Sequence, residues 1–368
     1  MNEGLTYAAA GVDVAAGDRA VELMAERVRA THSAGPAAVL AGAGGFAGLV
    51  DASLLAGMRR PVLATSTDGV GTKVAVAQAM DRHDTVGIDL VAMVVDDLVA
   101  CGARPLFLTD YLVVGSVVPQ RVAEIVGGVA EGCRLARCAL VAGETAEHPG
   151  LLPPDTYDLA GAATGVVEAD GILGPDRVRP GDVCVAMASS GIHANGLSLA
   201  RAIVDRAGWD LRERLPGLAA SVGDTLLEPT RIYAAELLDL LDAVPGAVHA
   251  VAHVTGGGLA SNLARVLPAG THVDVDRSSW RPPAVFDVLG DAGGVSGEER
   301  ERTWNQGIGM VAVVDPVAAD EVAATLDRAG VPAWTCGTVT AADAPPAGAT
   351  AGTKGVRGGS VRLVAAHP

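Results

Sequence analysis

Short apolar runs alternate along this chain with helix-length amphipathic segments. Mixed α/β layers produce that pattern; a β-sandwich would lack the helices and a helical bundle the strands. The apolar runs predict strands over Pro61 to Thr67, Leu106 to Val114, Cys138 to Ala142 and Leu159 to Val167. Helices are expected over Gly17 to Thr31, Thr85 to Cys101 and Pro119 to Arg137, with Pro119 suited to a first turn. Glu168 to Asp182 is rich in turn formers and charges, and a strand-like run, Val183 to Ala188, begins anew after it. Beyond it the pattern predicts helices over Leu197 to Ala207, Pro229 to Asp242 and Gly258 to Val266, and a strand over Ala247 to His253. The chain thus reads as an α/β (α+β) protein of two domains, residues 1–170 and 171–342, with a tail over 343–368. Asp343 to Gly359 is Pro/Gly/Thr-rich and expected to be mobile, while Val361 to Val364 can pair as a last edge strand.

Composition narrows the function. Lys+Arg minus Asp+Glu is 27 − 43 = −16, a balance that repels nucleic acid and anionic membrane. Five cysteines without C-x-x-C spacing fit buried thiols of a reducing compartment better than a disulfide or zinc framework. The Met-Asn-Glu start has no basic region or apolar core, so no signal peptide is expected. The longest uncharged stretch, Ala34 to Val50, holds Pro36 and five glycines, which break a membrane helix. A cytoplasmic protein with no nucleic-acid or membrane partner is expected.

The most informative stretch is Pro61 to Lys73, PVLATSTDGVGTK, where an apolar strand ends on Asp68 and runs into Gly69, Gly71, Thr72 and Lys73. A carboxylate beside flexible backbone amides and an ammonium is what Mg²⁺ on a polyphosphate requires, although an ordinary Asp-Gly turn with a solvated lysine has the same letters. In His83 to Gly102, Asp89, Asp96 and Asp97 interrupt a strongly apolar helix. They either line a narrow solvated stripe or serve a cation, since buried carboxylates are costly unless compensated. A third element, Ala139 to Gly150, runs through Gly143 into Glu144, Thr145 and Glu147. If the sheet brings these strand ends together, Asp68, Asp97 and Glu144 converge on one hard-oxygen site suited to Mg²⁺.

Glycine-rich segments recur at strand-to-helix junctions. Gly42 to Ala47, with Gly44 and Gly45, formally fits G-x-G-x-x-A but lacks the acidic partner of a dinucleotide fold; it reads as a loop covering a nucleotide. Ser189 to Gly196 (SSGIHANG), Thr255 to Gly258 (TGGG) and Asn305 to Gly309 (NQGIG) are each either a tight turn or a phosphate cradle. Candidate substrate contacts are Ser190, Gly191, His193, Asn195, Gly196, Thr255, Gly256, Gly257, Gly258 and Asn305. His193 sits inside its cradle, where it can contact phosphate, move a proton or serve as a core or capping histidine.

Together these motifs closely resemble the phosphoribosylformylglycinamidine cyclo-ligase family, the aminoimidazole ribonucleotide synthetases of purine biosynthesis. The matching segments, in order, include Thr6 to Asp18, GGFAGL (Gly44 to Leu49), TDGVGTK (Thr67 to Lys73), His83 to Leu98, PLFLTDY (Pro105 to Tyr111), AGETAEHPG (Ala142 to Gly150), SSGIHANG, LLEPTRIY (Leu226 to Tyr233), HVTGGGL (His253 to Leu259) and NQGIGM (Asn305 to Met310). The resemblance implies a homodimer whose N-terminal mixed sheets meet as an interface β-barrel, a layered C-terminal α/β domain, and an active site in the cleft between. It implies formylglycinamidine ribonucleotide as substrate and Mg–ATP as phosphoryl donor. ATP would then lie against Gly44, Gly45, Asp68, Gly69, Gly71, Thr72, Asp89, Asp97, Gly143, Glu144 and Thr145, with Lys73 and His193 as catalytic candidates. Many members carry Lys-Asp where this chain has Ala8 and Ala9, and a Gly-Lys pair where it has Gly115 and Ser116.

Overall fold

The structure, a computed structural model, describes residues 11, 13–41, 46–352 and 356–368. Gly44 and Gly45, and the first residues of the Thr6 to Asp18 motif, lie outside the described residues. The chain divides into two compact units, one of Met1–Leu98 and Arg104–Ala169, the other of Val99–Ala103 and Asp170–Pro368.

The first unit is built from α1 (Val14–Thr31), the short pair β1 (Val39–Ala41) and β2 (Leu49–Val50), β3 (Pro61–Gly69), α2 (Lys73–Met80), α3 (Val86–Ala100), β4 (Arg104–Val114), α4 (Pro119–Leu135), β5 (Ala139–Glu147) and β6 (Tyr157–Glu168). Its main sheet runs β3-β6-β4-β5, antiparallel except for the parallel pair β4/β5. Along β4, Leu106, Leu108, Leu112 and Val114 are buried, while Tyr111 between them is 43% exposed. This two-residue alternation marks one covered and one open face. Helix α3 is apolar nearly all round; of residues 86–99 only Asp97 is exposed. Such a helix must be buried on several sides. One side meets the sheet, with Leu90 against Gly161. Another meets α4, where a Cβ on Gly87 would overlap the backbone at Gly128 and Val129.

The second unit contains β7 (Val183–Ala188), α5 (Leu197–Ala207), α6 (Val222–Leu226), α7 (Ala234–Ala243), β8 (Val248–His253), α8 (Gly258–Arg265), β9 (Thr271–Asp276), α9 (Ala284–Gly293), α10 (Gly297–Thr303), β10 (Ile308–Val314), α11 (Ala319–Arg328), β11 (Ala333–Ala341), β12 (Thr350–Ala351) and β13 (Ser360–Val364). The strands form one sheet in the order β12-β13-β9-β11-β7-β10-β8, with only β13/β9 parallel. Every residue of β10 is buried, as expected for a central strand covered on both faces. Leu259 and Leu263 of α8 pack with Trp280 over one face, and α11 packs on β7 and β11.

Several expected boundaries move. The helix expected from Pro229 begins at Ala234, because Pro229 O and the Arg231 amide are engaged by Ser190. Strand β5 continues through Glu147, so Glu144 stands within a strand. The expected edge strand is flanked by β9 and by β12, the latter formed from the segment expected to be mobile. Among the described residues no helix is long and apolar enough to cross a membrane.

Candidate functional site

In the first unit a row of backbone partners crosses the sheet: Asp68 lies opposite Gly161, Gly161 opposite Asp110, and Asp110 opposite Gly143. Paired residues share a face, so Asp68 and Asp110 point to the helix-covered side. Asp68 stands at the open end of the row and is exposed, its Oδ1 accepting the Gly69 amide at 2.7 Å. Gly71 follows at φ 69° with open space where a Cβ would be, which leaves the backbone approachable before Thr72 and α2. Asp110 is only 8% exposed, and burial raises its carboxyl to about 7. A Cβ on Gly143 would overlap the Asp110 carboxylate, so the exposed Gly143 is the small residue that makes room for it.

Asp68, Asp97 and Glu144 do not meet within one chain. Among the described residues no group of three or more His, Cys, Asp or Glu is close enough to hold a metal ion. Glu144 is paired with Tyr111 and so faces the open side of the sheet, opposite to Asp68 and three strand spacings away, on the order of 14 Å. Asp97 lies seven residues beyond Leu90, the contact of Gly161, or about 10 Å along α3. All three are exposed. Mg²⁺ on a nucleotide needs one or two protein carboxylates, the phosphates supplying the rest, and the exposed Asp68 beside open glycine backbone fits that smaller requirement.

Lys73 and Asp89, expected at the nucleotide, are paired with each other. Lys73 Nζ donates to Asp89 Oδ1 at 2.7 Å, and both side chains are 0% exposed. The enclosed pair fastens α2 to α3. Thr145 is half-buried on β5.

In the second unit the three glycine-rich loops do come together. Ala188 at the end of β7 lies opposite Ile308 at the start of β10, and His253 at the end of β8 opposite Met310, so all three loops leave one end of the sheet. Asn195 Oδ1 is 3.4 Å from where a Cβ of Gly256 would stand. Helices α5 and α8 begin here after Gly196 (φ 77°) and Gly257 (φ 104°), neither with a side-chain cap. The Gly258 amide that opens α8 donates to Thr255 O at 3.1 Å, and the N-terminal ends of both helices lie at this end of the sheet. Asn195, Gly196, Thr255, Gly256 and Gly257 are partly exposed, whereas Gly191 and Gly258 are buried.

Other candidates hold the cradle instead of facing it. His193 is 3% exposed at φ 63°, and its Nε2 accepts the Ser190 amide at 3.1 Å, with Tyr233 edge-on to the ring. In this position the ring shapes the loop through the Ser190 amide. Ser190 Oγ donates to Pro229 O at 2.6 Å and accepts the Arg231 amide at 3.1 Å. Asn305 is buried, donating to Gly191 O at 2.9 Å and accepting the Gly307 amide at 2.8 Å.

This pair of α/β units defines the class of AIR synthase related proteins: the N-terminal domain of that class matches residues 50–167 and its C-terminal domain residues 179–345. Within it, a phosphoribosylformylglycinamidine cyclo-ligase of Anaeromyxobacter sp. (strain Fw109-5) is 51% identical over 339 residues, covering 91% of this chain and 96% of that protein. One of Sorangium cellulosum (strain So ce56) is 48% identical over 336 residues, covering 91% and 95%. The chain belongs to the phosphoribosylformylglycinamidine cyclo-ligase family. The fold is shared with thiamine-monophosphate kinase from Stenotrophomonas maltophilia K279a (TM-score 0.61, 19% identity, covering 93% of this chain and 95% of that one). It is also shared with the E. coli hydrogenase maturation protein HypE (TM-score 0.60, 19% identity, 89% and 90%).

Proposed function

We propose that the chain is an ATP-dependent cyclo-ligase converting formylglycinamidine ribonucleotide and ATP to aminoimidazole ribonucleotide, ADP and phosphate. The observation that carries this reading is the 51% identity, over 91% of the chain, to a protein of that name. An amide carbonyl resists amidine attack because its oxygen leaves poorly. Attack of that oxygen on the γ-phosphorus breaks the bond to ADP and turns the oxygen into a phosphate ester. The amidine nitrogen then bonds to the carbon, phosphate departs with the C–O electron pair, and the nitrogen releases a proton. Such a step depends on positioned reactants, charge stabilisation and exclusion of water.

The substrate's ribose phosphate is assigned to the N-terminal ends of α5 and α8, against the partly exposed Asn195, Gly196, Thr255, Gly256 and Gly257, where helix dipoles favour a dianion. The nucleotide phosphates are assigned to the Asp68 to Thr72 turn. Mg²⁺, when bound, would neutralise charge on the transferring phosphoryl group, with Asp68 as its nearest carboxylate; Asp97 and Glu144 enter only where the nucleotide or a second copy spans the gap. A homodimer is the assembly this reading uses, formed through the open face of the β3-β6-β4-β5 sheet.

The test is ATP hydrolysis with and without the amidine ribonucleotide. Turnover that requires the amidine supports the ligase; tight ATP binding without turnover rejects it. Asp68→Asn should lower amidine-dependent turnover at least about tenfold, the scale of losing one metal ligand's charge.

A further inference from the structure

The last residues of the chain, beyond residue 345 where the matched C-terminal domain stops, reach back to the substrate cradle. Strand β13 pairs with β9 from Ser360 to Val364, and Arg362 binds Asp274 through two hydrogen bonds of 2.8 and 2.9 Å. This anchors the chain just before His367. The His367 ring stands edge-on to Trp280, centroids 4.7 Å apart, and its Nδ1 donates to Arg277 O at 3.0 Å and Trp280 O at 3.3 Å. Trp280, buried, donates from Nε1 to Gln306 O at 2.8 Å.

Gln306 is where this support matters. Its φ of 51° lies in the left-handed region, a conformation that persists for a side chain of this kind only where the surroundings hold it. Its neighbours are the parts of the cradle: Asn305 donates to Gly191 O, and Gly307 O accepts the Ser189 amide at 2.9 Å. A continuous series of contacts therefore links His367, through Trp280 and the strained Gln306, to the loop opening α5.

We propose that His367 is a positioning residue for the substrate cradle, holding through Trp280 the turn that secures Ser189 and Gly191. The role in turnover rests on the cyclo-ligase reading above; the structural coupling does not. Hydrogen exchange on the full chain reads that coupling directly. His367→Ala should speed exchange of the Ser189 and Gly307 amides about fivefold, the scale of one lost hydrogen bond, and leave β4 unchanged. His367→Asn, whose side-chain N–H can still donate to the two carbonyls, should restore most of the protection. Trp280→Phe, which keeps a ring and removes the indole donor, should reproduce the loss. In turnover, KM for the amidine ribonucleotide should rise about fivefold, with kcat and KM for ATP within about twofold. Unchanged exchange at Ser189 and Gly307 in His367→Ala overturns the proposal, as does an equal decline in every kinetic constant. A wild-type chain without ring-closing turnover would count against the cyclo-ligase reading, and exchange would still decide this one.

Discussion

Lys73 and Asp89 neutralise each other without solvent, and such a pair is stable only as a pair. Lys73→Met would strand the Asp89 charge, at a cost of about 3–5 kcal/mol in urea unfolding. A phosphate contact would give the opposite signature, a raised KM for ATP with stability unchanged. Asp110 carries a second residue-scale prediction. Burial holds its carboxyl at about 7 against 3.8, so between those values the folded chain keeps a proton that the unfolded chain releases. Stability should therefore fall as pH rises from about 4 to 7 and level off above, by about 4 kcal/mol for three pKa units. The Cys133 thiol near it, held well above its ordinary value by its hydrogen bond with Cys138 and by burial, stays neutral throughout. Asp110→Asn should remove this slope in unfolding curves taken across that range. The strand end that carries Asp68 was legible in the sequence because a strand end, an acid and glycines are local features. The enclosure of Lys73 was not, since it depends on α2 meeting α3, sixteen residues apart in the pair. A signal for Asp110 did exist: with Leu106, Leu108 and Leu112 it holds an inward position of an alternating strand.

At the scale of elements, glycine decides how close α3 comes to α4. Gly87 faces the Gly128 and Val129 backbone, and a Cβ on Gly128 would overlap the Asp84 carbonyl. The crossing has no slack for a methyl group, and neither partner in the contact is a flexible side-chain end. Gly87→Ala should destabilise the first unit by at least about 2 kcal/mol despite alanine's better helix propensity, as a shifted urea midpoint would report. The elements read most directly from sequence are those whose pattern is local. Val183 to Ala188 and Leu197 to Ala207 emerge with the expected ends, a buried apolar run and an amphipathic helix closed by Gly208. Helix α2 was missed because Lys73 to Met80 is short and follows a glycine turn, and its burial comes from packing. The three expected carboxylates stay apart within one chain for a reason of the same kind: Glu144 is one residue out of register with the row that holds Asp68, and one residue puts the two on opposite faces of the sheet.

For the whole molecule the open face of the first sheet is the feature still to be accounted for. Leu63 is 62% and Tyr111 43% exposed, and Thr65 and Thr67 stand beside Leu63 on β3, which is itself an edge strand. A partly apolar face beside a strand that is an edge among the described residues invites association, so a lone chain would carry a liability that a symmetric partner removes. Glu144 shares this face with Tyr111, the side on which a second copy would have to bring it near a nucleotide. Leu63→Glu places a charge on this surface and, in a symmetric pair, against its own copy. The variant should sediment as a folded monomer with an unchanged circular dichroism spectrum. If Glu144 serves the site only from across the contact, amidine-dependent turnover should fall with the dimer fraction and recover at protein concentrations that restore it. A monomeric variant with full turnover would separate catalysis from assembly and confine the nucleotide's contacts to one chain. Activity lost without any change in sedimentation would place the role of Leu63 in the fold of the sheet itself.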